Sequence, residues 1–129
     1  MCTAVSFSSC NHYFGRNLDL EYSYEEQVVV TPRNYVFSFR KAGTMKSHYA
    51  MIGMAGVVED VPLYYDAINE KGLGMAGLNF PDNTDYKEYE EGKENVAPFE
   101  LIPWILSQCE NVEQARTRLE RLNLVDESF

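Results

Sequence analysis

An α+β layered architecture, antiparallel strands followed by two helices, is what this 129-residue sequence predicts. Three observations carry that expectation. Short β-branched and aromatic runs, separated by Pro, Gly, Asn and Asp, fill the first two thirds of the chain, as hairpin-rich sheet requires. Gly53, Gly56, Gly72, Gly74 and Gly77 sit in or beside those runs, where bulges and close backbone approaches occur. Beyond residue 98 the apolar residues recur at helical rather than alternating spacing.

The elements follow in order. Residues 3–7 open the first strand with small and β-branched side chains, and residues 12–19 form the second after a polar Ser-Ser-Cys-Asn turn. Residues 27–31 contain Val28-Val29-Val30, residues 35–40 alternate polar and aromatic, and Pro32-Arg33-Asn34 breaks the two apart. Residues 49–58, 63–69 and 73–80 supply three more strands. Residues 82–95 carry six acidic residues against two lysines, the composition of a solvated surface loop. A first helix is expected over 99–109. Pro98 near its start loses no hydrogen bond, and Pro103 is tolerated only if the helix begins no earlier than about residue 99. A second is expected over 112–122, with Asn111 as N-cap and Gln114 three residues on. Val112, Ala115, Leu119 and Leu122 give it one apolar stripe for packing on a sheet.

The charge balance excludes several function classes. Eleven basic and twenty acidic residues leave a net charge of −9, the wrong sign for nucleic acid or an anionic membrane surface. No apolar run approaches the ~20 residues needed to span a bilayer, and the N-terminus lacks the pattern of a secretory signal, so a cytoplasmic location is expected. Cys2, Cys10 and Cys109 form no CxxC pair and are odd in number. Neither a disulfide framework nor a metal site or other cofactor is expected. Cys10 falls in a polar turn and Cys109 at the end of an apolar helix face, so the first is expected exposed and the second buried. His12 and His48 have no partner at a catalytic spacing.

Cys2 is the residue with the most chemistry to offer. Trimming of Met1 leaves a thiol and a free α-amine on one residue, with reference pKa values near ~8.5 and ~8, so the same residue supplies nucleophile and proton acceptor. Arg16 and Asp19 lie three apart on the second strand. A cation near a thiol favours thiolate, and a carboxylate near an α-amine holds it by hydrogen bonding. Asn79, at the end of a glycine-laced strand, brings an amide N–H₂ of the kind that stabilises an oxyanion in acyl transfer.

Met1-Cys2-Thr3, the run Phe14-Gly15-Arg16-Asn17-Leu18-Asp19 and Pro32-Arg33-Asn34 resemble the choloylglycine hydrolase family of N-terminal nucleophile hydrolases, which includes bile salt hydrolases and penicillin V acylases. The resemblance continues through Asn69-Glu70-Lys71-Gly72-Leu73-Gly74, Gly77-Leu78-Asn79-Phe80-Pro81 and Pro98-Phe99-Glu100-Leu101-Ile102-Pro103-Trp104, in unbroken order. It implies the N-terminal part of an αββα sandwich, with residues 1–129 one portion of a single domain. It also implies that Cys2 attacks an amide carbonyl to form a thioester, with Arg16 and Asp19 beside it and Asn79 at the oxyanion site. Asn at that last position is the bile salt hydrolase pattern, whereas penicillin V acylases commonly carry Tyr, so glycine- and taurine-conjugated bile salts are the expected substrates. Because these are anions, an acidic chain must capture them by apolar contact. Leu18, Tyr22, Tyr24 and Val58 are the candidate lining. Family members are much longer and carry a further catalytic Asn and Arg, so these residues alone are expected to be inactive or weak and the complete protein a homo-oligomer. Penicillin V acylase activity and a non-catalytic remnant are the competing readings.

Overall fold

The computed structural model describes residues 2–79 and 83–129. It contains ten short strands and two helices: β1 (Thr3–Ser8), β2 (His12–Asn17), β3 (Gln27–Thr31), β4 (Phe37–Phe39), β5 (Gly43–Met45), β6 (Met51–Val58), β7 (Val61–Asn69), β8 (Gly74–Ala76), β9 (Glu94–Val96), α1 (Leu101–Leu106), α2 (Val112–Leu119) and β10 (Leu122–Leu124).

The centre is an antiparallel sheet in the order β3-β6-β7-β8. Alternation along these strands sorts their side chains between two faces. Thr31, Met51 and Asn69 are in register, as are Val29, Gly53 and Ala67, and these rows lie under α1 with its buried Ile102, Trp104, Ile105 and Leu106. The alternate rows place Val28 beside Met54 and Asp66, and Val30 beside Ile52 and Ile68, on the opposite face. There Val28 and Val30 are each 64% exposed. A bulge between Met54 and Ala55 shifts the β6–β7 register, which adds local twist next to Asp66.

Two close approaches need glycine. A Cβ on Gly53 would lie 2.6 Å from Ala67 Cα and closer still to the Asp66 carbonyl. One on Gly74 of β8 would meet the Phe14 ring of β2 at 3.0 Å. The second contact seats the β1–β2 hairpin on the central sheet, since no ladder joins the two.

Several expectations are corrected. The strand expected over 35–40 shortens to Phe37–Phe39 and pairs with Gly43–Met45, a strand the sequence reading left out. The strand expected over 73–80 covers only Gly74–Ala76, and Phe80 lies outside the described residues. The first helix is a 3-10 turn, Pro98–Glu100, running into α1. Glu100 is held there by accepting the Arg40 and Ala97 amides at 2.9 and 3.4 Å. The chain does not close on a helix. α2 stops at Leu119, and Leu122–Leu124 runs parallel to Glu94–Val96, the end of the segment expected to be wholly solvated loop. Asn123 is the cause: its side-chain amide donates to Glu88 O at 2.8 Å and Asn95 Oδ1 at 2.7 Å, a buried network that outweighs the helical propensity of 120–122. Only Ala115 and Leu122 of the expected apolar stripe pack on the core, while Val112 and Leu119 stay exposed. Asn111 does cap α2, accepting the Gln114 amide at 3.0 Å, and Gln114 Oε1 accepts the amide of Glu110.

Candidate active site

Cys2 enters the β1–β2 hairpin one residue before its first rung. The ladder pairs Thr3 with Asn17, Ala4 with Arg16, Ser6 with Phe14 and Ser8 with His12. Residues opposite each other share a face, and so do residues two apart. Ala4, Ser6 and Ser8 therefore share a face with His12, Phe14 and Arg16, and Cys2 directly precedes the first rung. A three-residue turn, with the Ser9 amide donating to Asn11 O at 2.8 Å, sets that register, and Ser6 and Ser8 hydroxyls bracket the His12 ring at 3.0 and 2.9 Å.

Residues at the start of β1 are tied by two contacts, from Asn17 at the end of β2 and from Asp19 just beyond it. The Cys2 thiol faces the Asp19 backbone carbonyl, Sγ to O 3.8 Å, and the Thr3 amide donates to Asn17 Oδ1 at 2.6 Å. Cys2 is half-buried, Cys10 exposed and Cys109 buried, and all three are free thiols. Burial pushes the Cys109 thiol up from its ordinary value, which disfavours its thiolate.

Arg16 reaches from the hairpin across to the sheet. Its side chain is 6% exposed; Nη2 donates to the Gly77 carbonyl at 2.7 Å and Nη1 lies 3.5 Å from Asp66 Oδ2. Gly77 is itself tied back, its amide donating to Tyr65 O at 2.8 Å. One guanidinium thus links β2 to β7 and to the backbone two residues before Asn79, which is exposed. Asp66 Oδ1 accepts the Met54 amide at 3.3 Å, at the bulge.

Beneath the hairpin lies a cleft of about 1100 Å³. Arg16, Asp66, Phe14, Leu18, Val28 and Ile52 are among the residues lining it. Of the four candidate lining residues, Leu18 is in this cleft. Tyr22 and Tyr24 lie in the exposed segment between β2 and β3, and Val58 sits at the end of β6. The Tyr24 carbonyl lies against Gly56, so the Tyr24 segment and the end of β6 are neighbours. Sequence reasoning passed over Asp66. The signal was present, since Asp66 is a lone charge inside an otherwise uncharged strand, Val61–Asn69.

Among the described residues no helix is long and apolar enough to cross a membrane, and no three His, Cys, Asp or Glu side chains gather as a metal site.

Residues 2–129 match the family model for linear amide C–N hydrolases, choloylglycine hydrolase family. The chain is 53% identical over its whole length to a bile salt hydrolase/transferase of Lactiplantibacillus plantarum, covering 40% of that protein. It is 40% identical to a conjugated bile acid hydrolase of Lactobacillus gasseri, covering 100% of this chain and 42% of that one. A crystal structure of a mutant conjugated bile acid hydrolase from Clostridium perfringens superimposes with a TM-score of 0.89 at 35% identity, over 98% of this chain and 40% of that one. The chain therefore spans about two fifths of the length of the relatives it matches.

Proposed function

The chain belongs to the choloylglycine hydrolase family, and from that premise we propose that its 129 residues, one part of a single αββα hydrolase domain, carry the nucleophile of an amidohydrolase acting on glycine- and taurine-conjugated bile salts. The observation that carries the reading is Arg16, paired with Ala4 two residues beyond Cys2 and bonded to the Gly77 carbonyl two residues before Asn79. That bond supports a reading in which the Cys2 thiol, the Arg16 cation and the Asn79 amide act on one substrate.

The chemistry follows from those groups. Once Met1 is removed, the α-amine of Cys2 accepts the thiol proton and the thiolate attacks the amide carbonyl carbon. The C–S bond forms as the carbonyl oxygen takes negative charge, which the Asn79 amide stabilises by hydrogen bonding. The tetrahedral species then expels the nitrogen, the ammonium proton passes to the departing amine, and a thioester remains. Water attacks the thioester, releasing the carboxylic acid and restoring the thiol. Asp19 orients the α-amine. Leu18 and its apolar neighbours in the cleft contact the acyl body, and Tyr22, Tyr24 and Val58 line its approach. The protein works in the cytoplasm, with a small-molecule amide as its partner.

The test is an intact mass followed by limiting alkylation with mapped sites, then release of glycine from a glycine-conjugated bile salt against phenoxyacetate release from penicillin V. The expected mass lacks one methionine, with Cys2 alkylated ahead of Cys10 and Cys109 and bile salt preferred wherever turnover is seen. Retention of Met1, or a Cys2 that labels no faster than Cys10, overturns the reading. A preference for penicillin V would replace the substrate and leave the mechanism.

A further inference from the structure

We propose that Asp66 is a positioning residue for the nucleophile site: its carboxylate, fixed at the β6 bulge, holds the Arg16 guanidinium at the Cys2 end of the hairpin. The inference rests on the reading of Cys2 as nucleophile and extends it to a residue on a different element.

Three features single out Asp66. It is the one charged side chain of β7, and it points to the face that looks at the hairpin, between Met54 and Ala76 in register. Its two oxygens are divided between two tasks. Oδ1 accepts the Met54 amide at 3.3 Å, where the bulge leaves that amide turned toward the side chain, and Oδ2 faces Arg16 Nη1 at 3.5 Å. A carboxylate with one oxygen bonded to backbone has little freedom to follow its partner, so the partner must come to it. Arg16 for its part is a nearly buried cation with Nε lacking any hydrogen bond. Without a carboxylate, one backbone carbonyl would be all that offsets the desolvation of its charge.

The hairpin register makes this matter for Cys2. Arg16 is directly opposite Ala4, two residues along the chain from Cys2, and the Cys2 thiol meets the Asp19 carbonyl three residues beyond Arg16. A guanidinium on this rung supports a thiolate at Cys2 only if it is kept at that end of the hairpin. Two effects of Asp66 on the thiol then oppose each other. As a bare negative charge it disfavours thiolate; as the anchor of Arg16 it favours thiolate. The sign of the response to Asp66→Asn separates them, because the amide is isosteric and its oxygen still accepts the Met54 amide.

The experiment measures iodoacetamide alkylation of the intact 129-residue chain at neutral pH, site by site, with the exposed Cys10 as internal reference. Asp66→Asn is expected to lower the Cys2 to Cys10 rate ratio by about threefold or more, the low end of coupling between groups in one network. In an Arg16→Gln background the same change is expected to leave the ratio unchanged or raise it, since no guanidinium is left to position. Asp66→Glu, which keeps the charge but lengthens the arm, is expected to recover part of the ratio. A ratio that rises or holds with Asp66→Asn alone overturns the proposal and leaves the nucleophile reading standing, as does an equal fall with and without Arg16. If Cys2 in the unaltered chain reacts no faster than Cys10, the nucleophile reading itself fails, and the proposal with it.

Discussion

Replacing Asn69 by Asp changes one NH₂ into an oxygen in a side chain that makes four hydrogen bonds while 4% exposed. Nδ2 donates to the carbonyls of Leu106 and Cys109 at 2.8 and 2.7 Å, where α1 ends; Oδ1 accepts the amides of Lys71 and Leu73 at 3.1 and 3.0 Å, inside the turn between β7 and β8. The substitution keeps the accepting half and removes the donating half. Two net hydrogen bonds are worth roughly 2 kcal/mol together, and leaving two buried carbonyls unpaired against a carboxylate adds ~2–3 kcal/mol. Charge-assisted bonds from Lys71 and Leu73 return ~1 kcal/mol. The expected loss is therefore about 3–4 kcal/mol, a large share of the ~5–15 kcal/mol of a typical domain. Trp104 is the sole tryptophan and is buried on α1, so urea unfolding followed by its fluorescence reads the affected element directly. The midpoint should fall with the slope unchanged. Acidification that protonates the introduced carboxyl should narrow the gap to the unaltered chain, because a protonated acid donates again. A loss below ~1 kcal/mol at neutral pH, or a gap that widens in acid, would refute the assignment of Asn69 as the clamp between this turn and α1.

The turn between β6 and β7 offers a gain instead. Glu59 and Asp60 both adopt left-handed φ, 51° and 64°, the conformation of a two-residue hairpin turn that favours Asn-Gly; the pair Glu59→Asn and Asp60→Gly is expected to stabilise by ~1 kcal/mol in the same urea assay. Gly53→Ala, with no room beside Ala67, should unfold or misregister the central sheet, read as loss of amide-exchange protection in β6 and β7. For Glu70, hydrogen bonds from Arg33 and from the Ala50 amide lower the carboxyl from its ordinary 4.5 to about 2. Its folded value is below its unfolded one, so the stability it contributes is present above about pH 4.5 and lost as pH falls toward about 2. The stability difference between the unaltered chain and Glu70→Gln should accordingly shrink across that window, as followed by thermal unfolding at stepped pH.

Legibility differed by element. Gln27–Thr31 was read to the residue, because three consecutive valines bounded by Pro32 leave no other reading. Asn111 as the α2 cap was equally plain, since capping is a contact between residues three apart. The strands at 94–96 and 122–124 were not legible. Each is three residues long and exists because Asn95 and Asn123 find each other across 28 positions, a pairing that no local pattern encodes. The same division runs through the site. Cys2, Arg16, Asp19 and Asn79 stood out by residue type and by resemblance, whereas Asp66 showed in the sequence only as a lone charge in its strand, and its meeting with Arg16 took β7 laid beside the hairpin.

By itself the sequence determined which groups are present and which neighbours along the chain share a face: a thiol next to Met1, a cation in the run that follows the first strand, glycines where backbones must meet. These are consequences of residue chemistry and of the two-residue period of a strand, both local. Tertiary structure alone decided that Arg16 spans from β2 to Gly77 and Asp66, and that Phe14 seats the hairpin on Gly74. Those contacts join residues 50 to 61 positions apart, whose meeting depends on how the hairpin and the central sheet settle against each other when both bury their apolar faces.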